Sequence, residues 1–91
     1  MQTEQMRLDG NAAGGMLREI FARDMTAALA TCIGCERVSA VGALLDYGGE
    51  MGVILRCPSC DTVMLRVVRT PGSFRFDASG TAMLWIPSGD A

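Results

Sequence analysis

The chain has 91 residues but no histidine and no lysine, so all eight of its basic residues are arginine. Without histidine it lacks the usual general base near neutral pH, the Cys-His and Ser-His nucleophile pairs, and any zinc finger of mixed Cys and His ligands. Apolar residues make up 49 % of the composition, yet no run approaches the roughly 20 apolar residues that span a bilayer. The opening residues, MQTEQMRLDG, have neither a basic n-region nor an apolar h-region. No membrane association is therefore expected, and the default localisation is cytoplasmic. Paired carboxylates, a phosphate-binding loop and a nucleophile elbow are all missing as patterns, and Asp46, Glu50 and Asp61 are scattered among turns. The expectation is a protein that is not an enzyme.

A chain of this length forms one domain at most, and its core alone is marginal, so a staple is expected. Residues 1–8 read as a disordered N-terminus, residues 9–87 as the single domain and residues 88–91 as a disordered tail. From Asp9 to Met25 the pattern is helical. Ala13, Met16, Leu17, Ile20 and Phe21 share one apolar face, Asp9 or Asn11 is the expected N-cap, and Glu19 and Arg23 are spaced as an i, i+4 pair. The pair Gly14 and Gly15 weakens this helix, which needs a surface to dock on.

Beyond Asp24 the pattern becomes short strands, at residues 26–31, 38–47 with a break at Gly42, 52–56, 62–70, 73–77 and 81–86. Turns are expected at residues 48–50, at Pro71 and Gly72, and at Ser79 and Gly80. In the strand 62–70, Val63, Leu65 and Val67 point one way, and Met64, Arg66 and Val68 the other. The last three strands read as a meander of consecutive neighbours.

All four cysteines fall into two matched Cys-x-x-Cys pairs, Cys32/Cys35 in TCIGCE and Cys57/Cys60 in RCPSCD, with 21 residues between the pairs. In a reducing cytosol such pairs hold metal or do redox chemistry instead of forming a disulfide framework. A Cys-x-x-Cys turn puts two sulfurs on one side of the backbone, and two facing turns supply the four ligands of a closed, tetrahedral, structural Zn²⁺ site. Two competitors remain. One is a rubredoxin-like iron site for electron transfer, which the five aromatic residues argue against. The other is thioredoxin-like redox cycling, which normally places its pair at the start of a helix. The fold expected is a small α+β domain, an N-terminal helix packed on an antiparallel zinc-ribbon β-sheet.

The segment LDGNAA at residues 8–13, EIF at residues 19–21 and the two cysteine knuckles together resemble a family of small bacterial zinc-ribbon-like proteins of unknown function. The resemblance runs from about residue 8 to residue 86 and implies a fold and a metal, but no assigned activity. Zinc knuckles often carry glycine after the second cysteine, where φ is positive; here Glu36 and Asp61 occupy those places.

Two binding roles follow. The first is a protein-interaction or adaptor module, or a homodimer, that covers spare apolar surface around Met83 and Trp85. The second is nucleic-acid binding through Arg56, Arg66 and Arg75, with Trp85 on the same face. A net charge of −2, which four thiolates and one divalent cation would take to about −4, disfavours the second.

Overall fold

Strand-forming sequence dominates the described residues, which are 8–9, 13–49 and 51–87 of this computed structural model. The elements are β1 (Leu8–Asp9), α1 (Gly14–Phe21), β2 (Leu29–Cys32), β3 (Val38–Ala40), a 3₁₀ turn (Val41–Ala43), β4 (Leu45–Asp46), β5 (Gly52–Arg56), β6 (Val63–Thr70), β7 (Ser73–Asp77) and β8 (Thr81–Trp85). They form a small α+β fold with two antiparallel sheets. A five-stranded sheet has the order β1-β4-β5-β6-β7, and a three-stranded sheet has the order β3-β2-β8.

The expected meander is corrected at its last step. Strands β6 and β7 form the hairpin that Pro71 and Gly72 signal, but β8 leaves that sheet and pairs antiparallel with β2, Leu29 opposite Trp85 and Thr31 opposite Met83. The diversion begins at Gly80, which is buried so closely against β6 that a Cβ there would run into the Val63 carbonyl. Only glycine fits at such an approach. Next to it, the Thr81 hydroxyl donates to the Met64 carbonyl at 2.8 Å, and Ile33 N–H donates to the Gly80 carbonyl at 3.0 Å. The start of β6 therefore lies between the two sheets. For that reason Met64, expected on the outer face, is buried, whereas Arg66 and Val68 are exposed as alternation requires.

Helix α1 is shorter than its sequence pattern. It starts at Gly14, so the two glycines occupy its first turn, where they weaken it less than in the interior. The N-cap position is Ala13, with no side-chain cap; Asp9 lies in β1, and Asn11 is outside the described residues. The apolar face is used as expected. Leu17 is fully buried, and the Phe21 ring meets Phe76 of β7 edge-on at 5.5 Å between centroids.

The expected Glu19/Arg23 pair does not form. Ala22 turns into the left-handed region at φ 59° and closes the helix through its N–H to the Arg18 carbonyl, which takes Arg23 off the helical register. Glu19 instead accepts two hydrogen bonds from the Arg69 guanidinium of β6 at 3.1 and 3.2 Å, and Arg23 donates to the Pro87 carbonyl at 2.8 Å. A two-point contact from helix to sheet thus replaces a local pair. Leu17, Met25, Leu44, Leu55, Leu65 and Val67 fill the core with Cys32 and Cys57.

Ala22 occupies a backbone conformation that glycine adopts without a Cβ penalty. Ala22→Gly is expected to raise stability by about 0.5–1 kcal/mol and Ala22→Val to lower it, measured as shifts in denaturant midpoint at unchanged slope.

Candidate metal centre

Each cysteine pair sits in the turn of a β-hairpin, the first between β2 and β3 and the second between β5 and β6. The two turns repeat one another bond for bond. Cys32 N–H donates to the Arg37 carbonyl and Cys57 N–H to the Thr62 carbonyl, both at 2.9 Å. Glu36 N–H donates to the Cys32 carbonyl and Asp61 N–H to the Cys57 carbonyl, again both at 2.9 Å. Gly34 N–H points at Cys32 Sγ at 3.3 Å, and Ser59 N–H at Cys57 Sγ at 3.4 Å. Glu36 and Asp61 both take φ 68°, so the positive φ expected after each second cysteine is present even without glycine.

The turns face one another. Cys32, Cys35, Cys57 and Cys60 bring their four Sγ atoms within 4.8 Å of one another, a cluster that can hold a metal ion. Across the two turns, Cys32 Sγ lies 3.6 Å from Cys60 Sγ, and Cys35 Sγ lies 3.7 Å from Cys57 Sγ. A regular tetrahedron with Zn–S bonds of about 2.3 Å has S···S edges of about 3.8 Å. A disulfide needs sulfurs about 2.05 Å apart, and all four cysteines are free. Cys32 and Cys57 are buried, whereas Cys35 and Cys60 are exposed at the rim. Neither pair opens a helix, the placement that redox cycling through a Cys-x-x-Cys motif normally uses.

The electrostatics of the cluster point the same way. Burial works against ionisation of Cys32, but the N–H groups of Cys35 and Gly34 and the neighbouring thiols outweigh it and bring its thiol down to about 6. At Cys35 the Arg37 N–H favours the thiolate. Partial desolvation and the sulfurs of Cys57, Cys60 and Cys32 win there, and the thiol is pushed up to about 11. The Thr62 hydroxyl and N–H lower Cys60. Four sulfurs this close do not all ionise by themselves, because each thiolate formed raises the cost of the next. A divalent cation removes that obstacle and turns all four into ligands.

Several supporting residues carry no motif of their own. Thr62, two positions after Cys60, sets its hydroxyl 3.1 Å from Cys60 Sγ. Arg37 bridges the hairpins, donating to Ser39 Oγ at 3.2 Å and to Ser59 Oγ at 2.7 Å. Gly34 fits where the knuckles interlock, since a Cβ there would sit 2.6 Å from Thr62 Oγ1. The only sequence signal for these was proximity to the cysteines.

The three arginines of the possible nucleic-acid surface are not a free basic ladder. Arg56 is held by the Asp61 carboxylate at 3.4 Å and stacks over Tyr47, and Arg66 pairs with Asp77 at 3.1 Å. Arg75 shares the outer face with Arg66, but Trp85 belongs to the other sheet, so the expected common face is corrected. No helix among the described residues is long and apolar enough to cross a membrane.

Among known protein families, residues 2–89 match a family of unknown function, DUF6510. No curated protein and no solved structure matches the chain.

Gly34→Ala is expected to weaken metal affinity by about 10-fold or more, because Thr62 and the knuckle must shift to admit the methyl group. Gly15→Ala, where a Cβ meets nothing within 4 Å, is expected to leave affinity unchanged and to stabilise the helix by up to about 1 kcal/mol. Competitive titration against a chromophoric chelator measures the first effect, and thermal melting the second.

Proposed function

We propose, from the premise that the chain belongs to the DUF6510 family of unknown function, that it is a structural zinc-binding protein of the zinc-ribbon type, serving as a protein-interaction module without enzymatic activity. The observation that carries the reading is the pair of bond-for-bond equivalent cysteine turns, whose sulfurs cluster within 4.8 Å and whose cross-turn pairs, at 3.6 and 3.7 Å, stand near the edge length of a tetrahedral four-thiolate site. Cys32, Cys35, Cys57 and Cys60 are the ligands in this reading. Such a site has no open coordination position, so it holds structure in place instead of activating water or substrate. Zinc is preferred to iron because the chain carries few aromatic residues of the kind that fill rubredoxin cores.

The interaction role rests on what the fold leaves uncovered. Leu29, Val38, Met83 and Trp85 are large apolar side chains between 37 and 64 % exposed, all on the three-stranded sheet. Nucleic-acid binding is the weaker reading, because two of its three candidate arginines are already paired with carboxylates.

The purified protein is expected to contain one equivalent of zinc and to be colourless. A visible thiolate-to-metal charge-transfer band in the protein as isolated would replace this reading with iron and electron transfer. Since metal binding is folding free energy in a domain of this size, chelation or Cys57→Ser is expected to abolish the cooperative melt and the near-UV dichroism of Trp85. A chelated protein that melts unchanged contradicts the structural role.

A further inference from the structure

The three-stranded sheet buries one face and leaves the other open. Ala30, Cys32 and Ser39 point into the core. On the opposite face the register lays down two cross-strand rows, Val38-Thr31-Met83 and Ala40-Leu29-Trp85. None of the six is charged. Val38 is 56 % exposed, Met83 64 % and Trp85 54 %, and Ile33, just beyond the end of β2, is also 56 % exposed. Helix α1 packs against the other sheet through Phe21 and Glu19, so it does not cover these rows.

We infer that this face is a homodimer interface, packed against the same face of a second copy about a two-fold axis. The inference rests on the reading of the domain as a metal-tied interaction module. Charge selects no oppositely charged partner, because the rows carry none. For the same reason two acidic copies meet there without like charges opposed. Shape favours a flat partner, as side chains from two sheets interdigitate about 10 Å apart. Size sets the strength: the rows with Ile33 expose roughly 500 Å² per copy, which, if wholly covered on both copies, comes to the ~1,000 Å² of a small, weak interface.

Trp85 is the only tryptophan, so it reports on its own face. Sedimentation velocity on the metal-loaded protein is expected to show mass rising from 9.7 kDa to twice that across the micromolar range, with Trp85 emission shifting to shorter wavelength in parallel. Met83→Glu and Val38→Glu, on the two outer strands of the sheet, are each expected to hold the protein monomeric with metal content intact. Met51→Glu, at an equally exposed site beside the other sheet, leaves the dimer unchanged. A metal-loaded wild type that remains monomeric with constant emission overturns the inference and leaves the face to a different partner. So does a dimer that survives both face variants. Metal content on the same fractions separates the two readings, because a metal-free dimer refutes the four-thiolate site while supporting this interface.

Discussion

Two hairpins that share no strand meet at four sulfur atoms. The β2–β3 hairpin belongs to the three-stranded sheet and the β5–β6 hairpin to the five-stranded one, so the cysteine cluster is where the sheets are joined. Everything close to that junction is arranged around it. Cys32 and Cys57 are core residues as well as cluster members, and Thr62, Gly34, Arg37 and Ser59 interlock the turns from outside. A chain of 91 residues has little surplus core, so a tie between separate sheets matters more than it would in a larger domain. Near the first cysteine turn β8 leaves the larger sheet for the smaller one, held by the hydrogen bonds of Ile33 with Gly80 and of Thr81 with Met64.

The two sheets treat their outer faces differently. The larger sheet takes helix α1 on its core face, through the Arg69 and Glu19 contact and Phe21 on Phe76, and lines its outer face with Arg66, Val68, Arg75 and Asp77. The smaller sheet spends its inner face on the core and the sulfur cluster, and no remaining element covers its outer face among the described residues. A uniformly apolar fold would bury both faces. Here the geometry that lets β2 and β8 approach the cluster also turns Trp85 and Met83 outward.

Much of this was legible in sequence where the signal is local. The cysteine pairs announced a shared site because every cysteine lay in one of two identical spacings. Strands β5, β6 and β7 were legible from alternation bounded by Gly and Pro, and the apolar face of α1 from its spacing. What failed was long-range pairing. Period-two alternation says which side chains share a face but not which strand lies opposite, and the short link from β7 to β8 favoured a meander. The burial of Met64 is hidden from alternation for the same reason, since it depends on Gly80 and Thr81 packing against the start of β6. Arg23 leaves the helical register because a left-handed Ala22 ends the helix without the glycine that usually marks such a stop.

Charge ties the site to the surface it leaves available. A four-thiolate site with one divalent cation carries a net charge of about −2, and a partly exposed site of that charge favours nearby cations. Arg37 and Arg56 lie at the rims of the two turns, held there by Ser39, Ser59 and Asp61, where their charge would offset that of a four-thiolate site. Arg66 and Arg69 are occupied by Asp77 and Glu19. With these four arginines engaged in holding the protein's own parts, a polyanion finds few free guanidinium groups. Among the described residues, the outer face of the three-stranded sheet is uncovered and apolar, whereas these charged side chains are engaged with the protein's own groups at the cysteine turns and across the larger sheet.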